Sequence, residues 1–160
     1  LLGIPNEKPA IVLMDLHLSD RASVCMRQLK STLHQTHFVV VVDEEADHIV
    51  SALADGATGY LLRQASRSEL LAELKLIHAG GSPMNSAVAA KVLQSFQHQS
   101  RPTSTAELSP RETRILRLLA NGSSHREAAA ALNITLPMVS TYIRSIYEKL
   151  QLQTAAKTLW

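Results

Sequence analysis

Short continuous apolar runs alternate with helix-like periodicity in the first half of the chain; the second half is helix-like throughout. The run Ile11 to Met14, inside PAIVLMDL, ends on Asp15. FVVVV at 38–42 is β-branched almost throughout, and TGYLL at 58–62 is a third run. Runs of this kind predict strands buried on both faces. The stretch 21–34 between the first two predicts a helix with Val24, Leu29 and Leu33 on its apolar side. Asp43, Glu44 and Glu45 open the next helix, where acids suit the positive end of the dipole, and Asp55-Gly56 stops it. Ser66 and Glu69 frame a capping box for a helix that runs to about 79 and ends at Gly80-Gly81. Strands alternating with helices imply βα units around a parallel sheet.

A helix beginning at 85 or 86 and running to 96 carries Met84, Val88, Val92 and Phe96 at helical spacing, a stripe suited to the core or a helix–helix contact. The polar, aperiodic QHQSRPTSTA at 97–106 reads as a linker. Beyond it, Ser109 with Glu112 and Ser124 with Glu127 mark two capping boxes, the first with Pro110 at the first helical position. These helices stop at Asn121-Gly122 and at Asn133, which tolerates a left-handed turn. Thr135 caps a third helix to about 150, and a short fourth covers 154–160. Val139, Ile143, Ile146 and Leu150 recur at steps of 4, 3 and 4, forming the inward stripe. Met138, Ser140, Thr141, Arg144, Ser145 and Glu148 are left outward, with Lys149 beside them.

Two short helices on a tight turn have helix-turn-helix spacing. In DNA binders the early outward side chains of the second helix reach base edges, where Ser and Thr donate or accept and Arg pairs with guanine or phosphate. The amides around Ser124 and His125, with Arg126, suit a phosphate at a helix start. Spacing alone leaves a plain helical bundle equally open.

Charge sharpens the division. Residues 1–100 hold 8 basic and 10 acidic side chains, and residues 101–160 hold 8 and 4, so only the second part is basic and suited to a polyanion. The longest apolar runs fall far short of a membrane span. A single cysteine, Cys25, excludes a disulfide framework and points to a reducing, cytoplasmic setting. The seven histidines, at 17, 34, 37, 48, 78, 98 and 125, show no zinc spacing with Cys or acids. Asp43, Glu44, Glu45 and Asp47 could suggest a metal cluster, but their place at a helix start is explained by the dipole. No P-loop, dinucleotide fingerprint or nucleophile–His–acid constellation is present, so an enzyme is not expected.

Residues 108–152, LSPRETRILRLLANGSSHREAAAALNITLPMVSTYIRSIYEKLQL, resemble the LuxR-type DNA-binding domain in register along some 45 residues. They depart from it at Ser140, where the family often has Lys, and at Asn133 and Gln151, where it often has Gly. In the family the last helix commonly forms the contact of the DNA-bound dimer. KPAIVLMDL, SALADGATGYLLR and SELLAELKLIHAGGSPMNSAVAAKVL are similar to the later part of a response-regulator receiver, so the whole chain resembles a NarL/FixJ-type response regulator. The resemblance implies a partial receiver-like, flavodoxin-like unit over 1–82, a linker helix and linker over 83–106, and a four-helix LuxR-type domain over 107–160.

It also implies a site. Asp15 stands at the phosphoacceptor's position, where open α/β sheets place their ligands. The chemistry further needs Mg²⁺ held by an acidic pair, a hydroxyl and a lysine. The acidic pair belongs to a strand before Leu1, the hydroxyl's position is Val41 by spacing, or Val42 if the register slips, the lysine's is Arg63, and Tyr60 matches the switch aromatic. Weak phosphorylation or none is therefore expected, with no cofactor unless a longer parent supplies the Mg²⁺ acids. In the family's strand order the strand at 11–15 would present an apolar edge, which invites a homodimer or cover by Leu1-Leu2. The expected function is a cytoplasmic bacterial transcription regulator with double-stranded DNA as partner, a possible sensor kinase and no membrane association. The alternative is a protein–protein interaction module whose helix-turn-helix does not bind DNA.

Overall fold

The computed structural model describes residues 4–15, 21–43, 46–98 and 107–158. After a single turn, α1 (Ile4–Glu7), the chain alternates β1 (Ile11–Asp15), α2 (Ala22–Thr32), β2 (His37–Val42), α3 (Ala46–Asp55), β3 (Gly59–Leu62) and α4 (Arg67–His78). The strands form one parallel sheet in the order β1-β2-β3, with Asp15 opposite Val41 and Val41 opposite Leu61. Parallel pairing brings all three carboxyl ends to one edge, which places Asp15, Asp43 and Arg63 together.

The sheet is not covered evenly. Phe38, Val40, Val42 and Tyr60 face a core shared with α2 and α3, while Val39 and Leu61 meet Ile77 of α4 on the other face. That second cover lies over β2 and β3, so Leu13 of β1 remains 51% exposed. The expectation of a first strand buried on both faces is corrected accordingly. Leu1-Leu2 lies outside the described residues, as do Glu44-Glu45 and most of the 97–106 linker. Helix α2 buries Ala22, Met26, Leu29 and Leu33 at steps of 4, 3 and 4. Val24, expected on that stripe, points to solvent instead.

The second half comprises α5 (Ser86–Gln97), α6 (Pro110–Ala120), α7 (His125–Leu132) and α8 (Leu136–Thr158). Both predicted capping boxes form there, at Ser109–Glu112 and Ser124–Glu127, as does the one at Ser66–Glu69. Asn133 adopts the left-handed conformation, φ 54° and ψ 45°, between α7 and α8. The expected separate fourth helix is a correction: α8 runs unbroken through 150–154. Gln151-Leu152-Gln153 contains no Gly or Pro, and glutamine and leucine are good helix formers, so nothing local stops the helix. Among the described residues no helix is long and apolar enough to cross a membrane.

The halves share one hydrophobic core. Val88, Ala89 and Val92 of α5 lie between α3 and α6, and Val139, Ile143, Ile146 and Leu150 of α8 belong to the same continuous cluster. The Met84, Val88, Val92 and Phe96 stripe thus packs as a helix–helix contact.

Candidate nucleic-acid interface and strand-tip site

The α7–α8 unit is held by a buried carboxylate. Glu112 on α6 is 4% exposed and accepts from the Ser109 amide at 2.9 Å, the Ser145 hydroxyl at 2.8 Å and the Lys149 ammonium at 2.7 Å. Burial alone would raise this carboxyl; its donors, Lys149 foremost, outweigh that and hold it below the ordinary value of 4.5. The network ties α6 to α8 and fixes the angle at which α8 leaves the Asn133 turn.

The nine residues expected at DNA therefore divide. Met138, Thr141 and Arg144 on α8 and Arg126 on α7 are exposed. The Thr141 hydroxyl donates to Pro137 O of its own helix at 3.0 Å. Ser124 is exposed, with its hydroxyl accepting from the Glu127 amide as cap. His125 is half-buried, its Nε2 3.1 Å from Met84 O. Ser140 is 8% exposed, and Ser145 and Lys149 turn to Glu112. Helical periodicity put these three on or beside the outward side; Ser145 and Lys149 turn inward to Glu112 of α6, which is one of two sides on which α8 is packed.

The second side is the receiver-like half. Gln151 donates from Nε2 to Leu53 O at 3.2 Å and accepts from the Lys30 ammonium at 3.1 Å, which also reaches Gly56 O at 2.9 Å. Burial lowers the Lys30 ammonium, against the Glu148 carboxylate, which raises it. His37 at the start of β2 is lowered by burial, then by the Arg144 and His78 charges, so Arg144 lies within electrostatic reach of the sheet. The buried Tyr147 hydroxyl donates to Pro83 O. These contacts span the two halves along the face of α8 that carries Arg144, Glu148 and Gln151. The Gln151 contacts were invisible in the sequence, although its departure from the family's Gly was a signal that this position differs.

The strand-tip site contains a second cluster. Arg63 Nη1 donates to Asp15 Oδ2 at 2.8 Å, Nη2 to Asp15 Oδ1 at 2.5 Å and Nε to Asp43 Oδ1 at 3.3 Å. A planar guanidinium suits such two-pronged pairing, which a lysine could not reproduce. The Arg63 amide also donates to Val42 O at 2.9 Å, holding the residue at the sheet's edge. Val41 stands half-buried between Asp15 and Leu61, and its side chain offers no hydrogen bond. Tyr60 is 5% exposed and accepts from the Asn85 amide at 2.8 Å; burial pushes its phenol up to about 12. Mg²⁺ does not fit this arrangement, because both Asp15 oxygens face a cation that any metal would have to displace. Among the described residues no group of three or more His, Cys, Asp or Glu could hold a metal ion.

A family model described as bacterial regulatory proteins, luxR family, matches residues 106–158. The chain is similar to YhcZ, an uncharacterized transcriptional regulatory protein of Bacillus subtilis: 30% identical over 154 residues, covering 92% of this chain and 71% of the relative. It is similar to the response regulator protein VraR of Staphylococcus epidermidis: 30% identical over 148 residues, covering 91% and 70%. A solved structure of the RcsB response regulator of Salmonella typhimurium superposes with a TM-score of 0.47 at 20% identity, covering 93% of this chain and 73% of that one.

Proposed function

The chain belongs to the bacterial transcriptional regulators of the response-regulator family that carry a luxR-type domain, and from that premise we propose that it binds double-stranded DNA through α7 and α8 under the control of its receiver-like half. The observation that carries the reading is the α7–turn–α8 geometry, with Asn133 left-handed and Met138, Thr141 and Arg144 exposed at the start of α8. Arg144 and Met138 meet base edges, and Arg126 with the amides at the start of α7 meets a phosphate. Among the described residues Arg126 and Arg144 are the exposed cations of α7 and α8, so tight binding takes a homodimer on the duplex. The runner-up, an interaction module without DNA binding, is favoured by no particular observation.

Control runs through docking. Arg144 shares a helix face with Glu148 and Gln151, and that face looks toward Lys30 and the sheet. Full insertion of α8 into a major groove therefore needs the halves to part. No kinase step belongs to this reading, because Arg63 occupies the phosphoacceptor's carboxylate and Val41 cannot hold a phosphoryl oxygen. The protein works on DNA in the bacterial cytoplasm and carries out no catalysis of its own.

A salt titration on a duplex tests the DNA reading. Affinity should fall with added salt, with a log–log slope of roughly 0.9 per phosphate neutralised. A chain that shows no duplex binding at low salt sinks the proposal.

A further inference from the structure

A cleft of about 400 Å³ opens where the two halves meet. Its volume lies within the range of small-molecule sites, and Leu62, Leu70, Leu76 and Met84 give it an apolar wall. Glu73 of α4 and His125, the first residue of α7, line it from opposite halves. The cleft is therefore complete only while the helix-turn-helix unit is docked.

Glu73 is the unusual member. Its Oε2 is buried and has no hydrogen-bond partner among the described residues. A buried carboxylate oxygen without a donor is costly, and the ordinary remedies are a proton or a cation. Burial raises the Glu73 carboxyl, and the His125 charge only partly opposes this. Glu69 lines the same cleft and adds a second carboxylate, though one already engaged with the Ser66 amide. The polar lining thus holds two carboxylates together with Tyr60, Asn85 and His125, beside a leucine-rich wall.

We propose that this cleft binds a small organic cation, a primary ammonium group on an apolar body, with the ammonium on Glu73 and the body along the leucine wall. The inference rests on the docking reading above: His125 completes the lining of the cleft, so a ligand whose body also packs against the His125 ring binds the docked form better and shifts the population toward it. Such a ligand acts as an inhibitor of duplex binding.

Hexylammonium is the probe, with 1-hexanol and hexanoate as controls, titrated calorimetrically into the full chain without DNA. Saturable 1:1 binding of hexylammonium is expected, with the two controls weaker by about tenfold or more. Glu73→Gln removes the charge at constant shape and should lose that preference, and Leu70→Trp, which fills the cleft and leaves Glu73 intact, should lose binding altogether. Equal affinity for hexanol, unchanged affinity in Glu73→Gln, or no saturable heat would each overturn the proposal. Because calorimetry here uses no duplex, failure to bind DNA leaves this result readable. Binding of the probe without weaker duplex affinity would overturn the inhibitor part.

Discussion

Among the described residues, one carboxylate–cation cluster in each half can be set against the other, since their chemistry is similar. Glu112 with Lys149 and Ser145 is buried between helices, and Asp15 with Arg63 and Asp43 sits at an open sheet edge. Desolvation separates their consequences. In the buried cluster every donor lost leaves an oxygen without water, so the cluster holds α6 to α8 and belongs to stability. At the edge, water can replace either partner, so the pair contributes little to stability and matters for what it keeps off Asp15.

Removing the buried carboxylate should have the largest effect. Glu112→Ala strands the Ser145 hydroxyl, the Lys149 ammonium and the Ser109 amide together, and destabilisation of about 2–3 kcal/mol is expected in urea unfolding. The pH dependence follows the same group. Its carboxyl is depressed in the folded state, so its contribution is complete above the ordinary carboxylate value and is lost as pH falls through the folded value. Urea midpoints should therefore decline in acid for the native chain, and less steeply in Lys149→Met.

Gln151→Gly comes next. It puts a helix breaker into α8 at a cost of about 1 kcal/mol and removes the contacts to Leu53 and Lys30. Hydrogen exchange should rise at the end of α8, and duplex affinity should rise as docking loosens. An unchanged duplex affinity would separate docking from control. Arg63→Ala is the smallest perturbation to folding, with no measurable shift in the urea midpoint, but it exposes Asp15 to metal. Mg²⁺ affinity, read by calorimetry, should increase in this variant alone.

The elements were largely legible in the sequence because local rules governed them. Three capping boxes, the Asn133 turn and the 4-3-4 stripe of α8 each follow from a few neighbouring residues, and each is where the pattern placed it. The misses at α8 and at the strand tips have a common cause in contacts distant along the chain, whereas the one at Val24 is local. Nine residues make about two and a half helical turns, so Val24 lies on the face opposite Leu33, and Met26 takes the buried position. Ser145 and Lys149 looked outward until α6 brought Glu112 to them. At the strand tips, the sequence supplied Asp15, Val41 and Arg63 as departures from an expected set. That Arg63 grips both Asp15 oxygens needed the parallel register, which no local signal carries.

As proposed above, the seam between the halves, and not the strand-tip carboxylate, governs α8. The most direct test is duplex affinity of the native chain before and after incubation with a small phosphodonor and Mg²⁺, with intact mass read on the same sample. An unmodified mass and an unchanged affinity are expected. Stoichiometric phosphorylation of Asp15 accompanied by a change in duplex affinity would contradict it.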